Sequence, residues 1–169
     1  MPGQGSRRGK GKDFEPSAAD LRNRGLRLLA RREHSRGELQ TKLRPYAPDE
    51  ETLTAMLDDF EERKWLSDER FAEQWAHYRA ERYGTRRLEA ELRQKGVASD
   101  LISEAVDHVR DGEEERAHAM WKRRFGAPSH DPKERAKQLR FLAARGFPPD
   151  IIYRVVGGDA AEFGDADFE

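Results

Sequence analysis

The sequence predicts an all-α fold, built as an elongated, curved array of three tandem three-helix repeats. First, the apolar residues between Ser17 and Val156 follow helical spacing, and no stretch alternates as a strand would. Second, the pattern recurs. Leu39, Leu43, Leu53 and Leu57 return 49 positions later as Leu88, Leu92, Ile102 and Val106. Leu92, Gly96, Asp100, Leu101, Ile102, Ala105 and Val106 return 50 positions later as Leu142, Gly146, Asp150, Ile151, Ile152, Val155 and Val156. A period of that length marks units that bury their faces against neighbours. Third, only 36% of the 169 residues are apolar and 38% are charged. That balance suits a thin array with wet helices better than one thick core.

Residues 1–16, rich in Gly and base, read as a flexible basic arm. Repeat 1 covers 17–65, with helices near 17–32, 36–44 and 50–63. Repeat 2 covers 66–111, with helices near 67–83, 86–95 and 100–110. Repeat 3 covers 112–158, with helices near 113–125, 133–145 and 151–156. Gly157 and Gly158 stop the last helix, and 159–169 read as a flexible acidic tail. The third copy drifts at its beginning, since Gln138 stands where the counterpart of Leu88 would be.

Several local signals fix these elements. Ser35 and Glu38 have the spacing of a capping box, in which the hydroxyl and the carboxylate each satisfy an orphan amide. Gly96 and Gly146 stand where a helix ends in a left-handed residue, which costs little without a Cβ. In "KWLSDERFAEQW", Ser67 is an N-cap, and Asp68 and Glu69 put negative charge on the positive end of a helix. Leu66 and Phe71 have the spacing of a hydrophobic staple. Phe71, Trp75 and Tyr78 form one stripe, expected in the core. Trp65 ends one unit and begins the next, where an aromatic fills a seam.

The absence of cysteine removes disulfides, thiolate zinc sites and cysteine nucleophiles. No apolar run approaches the roughly 20 residues that span a bilayer, and the N-terminus lacks the apolar segment of a secretion signal. A soluble intracellular protein is expected. The five histidines, His34, His77, His108, His118 and His130, lack metal-ligand spacing and read as solvated helix residues. No phosphate-binding loop or dinucleotide fingerprint is present. The expectation is a non-enzyme with no catalytic residue, metal or cofactor.

What remains is arginine. Arg31–Arg32, Arg86–Arg87 and Arg123–Arg124 are pairs, with Arg79, Arg82, Arg140 and Arg145 nearby. One reading places cations at helix C-termini, opposing the dipole. The other places equivalent positions on one face of the array, a basic track for phosphates or acidic protein. The dipole of their own helix does not explain Arg86 and Arg87, which fall at its start. The net charge of −1 also hides an asymmetry: removing the five acids of 159–169 leaves +4. Such a tail either solubilises or pairs with a basic surface, its own included.

"LLARREHSRGELQTKL", "WLSDERFAEQW", "ELRQKGV" and "QLRFLAARGF" resemble, in order and separation, the RecX family of bacterial recombination regulators, over residues 26–156. The resemblance implies three tandem three-helix repeats in a long curved molecule, with no catalytic activity and no cofactor. It implies a cytoplasmic regulator of homologous recombination and DNA repair. Its partner would be the RecA recombinase, bound within the RecA–DNA filament, with inhibition of RecA ATPase and strand exchange. The family's motif residues map onto Leu29, Ser35, Glu38, Leu39, Leu43, Trp65, Leu66, Asp68, Phe71, Ala72, Gly146 and Phe147, mostly caps and core. Direct contact with single- or double-stranded DNA stays open, and a monomer is expected. The alternative is a stand-alone basic helical DNA-binding protein, disfavoured by a mildly basic body and an acidic tail.

Overall fold

The structure, a computed structural model, describes residues 16–157; the basic arm, apart from Pro16, and the acidic tail lie outside them. Among the described residues the chain forms nine α-helices and one short 3-10 turn, with no strand. The first unit holds α1 (Ala18–Leu29), α2 (Arg36–Leu43) and α3 (Glu50–Glu62), with the 3-10 turn Arg44–Tyr46 between the last two. The second holds α4 (Asp68–Ala80), α5 (Thr85–Gln94) and α6 (Ser99–Arg110). The third holds α7 (Glu113–Phe125), α8 (Pro132–Ala143) and α9 (Pro149–Val156).

Side-chain caps set most helix starts. Ser17, Ser35, Asp49, Ser67 and Asp131 each accept from an amide in the first turn. Gly96 and Gly146 end α5 and α8 at φ +81° and +83°, as their positions predicted. Apolar burial is split into three clusters, one per unit. The first gathers Leu21, Leu39, Leu43, Leu53, Leu57 and Phe60. The second gathers Phe71, Ala72, Leu88, Leu92, Ile102 and Val106, and the third Trp121, Leu139, Leu142, Phe147 and Ile152. Helices pack most extensively on helices of their own unit.

Four expectations change here. Leu66 is buried in the first cluster and Phe71 in the second, so they seal two cores instead of closing one staple. Tyr78 is 73% exposed. Trp65 is half in water, with its ring 5.8 Å from Phe60 and the guanidinium groups of Arg22 and Arg63 at 5.5 and 5.2 Å; all three belong to the first unit, so it fills no seam. The Ser35–Glu38 box is half made. The hydroxyl accepts from the Glu38 amide at 3.0 Å, but the carboxylate turns to cations instead of the Ser35 amide. Gln138 is buried for a reason: its Oε1 accepts from the Trp121 indole at 2.9 Å, and its Nε2 donates to the Ala127 carbonyl at 3.2 Å. A leucine there would leave the indole N–H buried without an acceptor.

Candidate functional site

Three small cores leave the joints between units as the places where sequence must specify geometry, and both joints follow one scheme. The first turn of a helix exposes amides with no partner inside the helix. At the start of α5 the Gly84 amide donates to the Arg145 carbonyl at 2.8 Å and the Arg86 amide to the Gly146 carbonyl at 3.0 Å. The Thr85 amide and hydroxyl donate to the Glu113 carboxylate at 2.7 and 3.1 Å. At the start of α2 the Ser35 hydroxyl donates to the Lys95 carbonyl at 2.6 Å, and the Arg36 amide donates to Asp68 at 2.7 Å. In each case the second helix of a unit is capped by the C-terminus of the next unit's second helix, and by the acid that opens the next unit's first helix. Thus α8, α5 and α2 run head to tail. The series is closed at one end by Asp131, whose side chain caps α8 at 3.1 Å, and at the other by the 3-10 turn after α2.

This scheme accounts for Arg86 and Arg87. They open α5, where its own dipole disfavours them, but that start abuts the carbonyl end of α8, which attracts cations. A Cβ on Gly84 would collide with the Gly146 carbonyl and the Phe147 backbone, so glycine is required there by close approach. Glu113 is buried, and desolvation raises its pKa against the opposing hydrogen bonds from Thr85.

The two joints differ in charge. At the first, Glu33 pairs with Arg70 at 2.8 Å, and Glu38 with Arg32 at 2.6 Å, Lys42 at 3.4 Å and Lys95 at 3.7 Å. Burial alone would raise the Glu38 pKa, but the bonds from Arg32 and the charges of Lys95 and Lys42 outweigh it and hold it at about 2. At the second joint a cleft of about 420 Å³ opens between the units, lined by Glu81, Arg82, Tyr83, Arg87, Met120, Arg123, Ala144 and Arg145.

Four of the ten sequence-predicted arginines therefore meet in one cleft: Arg82, Arg87, Arg123 and Arg145. Arg79 lies behind it, bonded to Glu91 at 2.5 Å, and Arg87 shares that carboxylate at 3.1 Å. The Tyr83 ring lies near both guanidinium groups, 4.2 Å from Arg79 and 3.9 Å from Arg87. Arg145 covers the Phe141 ring at 3.7 Å. Burial opposes ionisation of Glu91, yet the bonds from Arg79, Arg87 and Trp75 hold its pKa below the usual carboxylate value. Among the described residues neither Arg82 nor Arg123 makes an ion pair. Arg31, Arg86, Arg124 and Arg140 are exposed outside the cleft, and Arg32 pairs with Glu38 at the first joint.

His34 corrects the reading of solvated helical histidines. It lies in the loop before α2 and is 2% exposed. Its Nδ1 sits 3.0 Å from the Arg32 carbonyl, which can only accept, so Nδ1 carries the proton and Nε2 accepts from Lys42 at 3.3 Å. Burial lowers its pKa and keeps it neutral. Glu113 and Thr85 were missed by sequence reasoning; the only signal was an acid opening α7 as Asp68 opens α4. Among the described residues no group of three or more His, Asp and Glu side chains converges as metal ligands would, and no helix is long and apolar enough to cross a membrane.

Three family models match in chain order: the first three-helix domain of RecX at residues 22–58, the second at 67–106 and the third at 112–156. The chain is 46% identical over 147 residues to the regulatory protein RecX of Ralstonia nicotianae, covering 87% of this chain and 92% of that one. It is 46% identical over 136 residues to the regulatory protein RecX of Leptothrix cholodnii, covering 80% and 87%. Its fold is similar to the crystal structure of RecX from Lactobacillus salivarius, with a TM-score of 0.73 at 19% identity over 82% of this chain and 94% of the other.

Proposed function

This chain belongs to the RecX family of regulatory proteins, and on that basis we propose that it binds the RecA–DNA filament in the cytoplasm and inhibits RecA ATPase and strand exchange. The observation that carries the reading is the in-order match of all three units to the family's domains. The array gives reach, so one molecule contacts more than one RecA subunit. The cleft supplies cations for acidic protein or phosphate, with Arg82 and Arg123 available and Arg87 and Arg145 held in place on aromatic rings. Inhibition is then mechanical. A ligand shifts a conformational equilibrium only by binding one state better, and an array that spans adjacent subunits opposes the movement between them that turnover requires.

Stand-alone DNA binding is the second reading, favoured by the same two arginines without ion pairs. Co-sedimentation separates the two. The chain should pellet with RecA filaments on single-stranded DNA at physiological salt and stay in the supernatant with DNA alone. Equal retention by bare DNA would favour the second reading.

A further inference from the structure

The cleft between the second and third units has a complement within the same chain. We propose that it is the docking site of the acidic segment, residues 158–169. The segment carries Asp159, Glu162, Asp165, Asp167 and Glu169, no base, and two phenylalanines, Phe163 and Phe168. The cleft offers four guanidinium groups, of which Arg87 is already paired with Glu91, and the apolar surfaces of Met120 and Tyr83, with Glu81 the one acid among its lining residues. The joint between the first and second units offers nothing comparable, because Glu33 and Glu38 already neutralise its cations.

Reach agrees with charge. The segment leaves α9 at Gly157, whose carbonyl accepts from Arg135 of α8. Arg145 lies ten residues further along the same chain, about 15 Å at helical rise. Twelve extended residues span up to about 40 Å. A tether of that length holds the segment at an effective concentration that reaches the millimolar range, so weak attraction suffices for substantial occupancy. Docking is therefore an autoinhibitory contact. The segment covers Arg82 and Arg123 until a partner with more negative charge, or one that engages the rest of the array, displaces it.

The contact does not depend on the RecA reading, and its test contains no RecA. Amide spectra of the full-length protein are compared with those of a variant carrying Glu162→Gln, Asp165→Asn and Asp167→Asn, which alters no residue of the described fold. The expected result is a set of shift differences centred on Arg82, Arg87, Arg123 and Arg145 that fades as salt is raised, since exposed charges are screened. A full-length Arg82→Glu, Arg123→Glu protein should lose the same differences. Spectra that coincide throughout residues 16–157 at low salt would overturn the proposal, as would differences that map to another face.

Discussion

Glu113 carries more than its place in the sequence suggests. Its two oxygens hold the Thr85 amide and hydroxyl inside a joint that water does not reach. Glu113→Ala leaves a buried amide without an acceptor, a loss of about 1–3 kcal/mol. Glu113→Gln, whose side-chain oxygen accepts from the Thr85 amide and whose side-chain amide N–H donates to the hydroxyl, should unfold close to wild type in urea. Equal midpoints for the Ala variant and wild type would show that the joint does not need this acceptor. Glu38 gives a pH dependence of known sign. Its folded pKa, about 2, lies below the ordinary 4.5, so its contribution is fully present above pH 4.5 and is lost as pH falls toward 2. The stability advantage of wild type over Glu38→Gln should shrink across that window; a constant difference would contradict the cation cluster. Single-residue reasoning succeeded for Ser67, Gly96, Gly146 and Phe71, where cap chemistry, a positive φ or aromatic burial is local. It failed at Tyr78 because α4 buries Ala72, Ala76 and Ala80, four residues apart, and leaves Tyr78 on its outer side. Small side chains let α4 approach α6, and bulk alone pointed to the wrong face.

Among the helices, α5 is the one whose ends both belong to neighbours. Its start has no side-chain cap of its own; Gly84, Thr85 and Arg86 give their amides to the third unit. Its end offers the Lys95 carbonyl to Ser35 of the first unit. Gly84→Ala should therefore loosen the second joint without emptying either core. Hydrogen exchange would speed up at the amides of Gly84, Thr85 and Arg86, while the amides of Leu57 and Phe60, in the first unit, keep their protection. Unchanged exchange at α5 would show that the close approach is not required. Helix existence and order were readable because apolar periodicity is a local signal. The joints were not, since a carbonyl about sixty residues away and an acid about thirty away meet the start of a helix with no apolar pattern to mark them. The placement of Arg86 shows the consequence: its charge is unfavourable on its own helix and favourable at the end of α8.

Three separate cores make the molecule a row of units, each small, joined by hydrogen bonds and charge. Phe71→Ala removes a buried ring that stacks on Trp75 at 5.7 Å and should cost about 3–5 kcal/mol. The loss should fall on the second unit and destabilise its neighbours through the joints, as in other repeat arrays. A variant that melts like wild type would mean that the second core is not organised around this ring. In solution the array should have a radius of gyration above the roughly 15 Å of a compact domain of this length, and small-angle scattering that fits a compact sphere would contradict it. The regulatory reading is tested by the steady-state ATPase of RecA on single-stranded DNA, titrated with the full-length chain. An array that contacts more than one subunit predicts inhibition that is pronounced well below one molecule per RecA, and weaker inhibition by Arg82→Glu, Arg123→Glu. Undiminished ATPase at equimolar protein would contradict it.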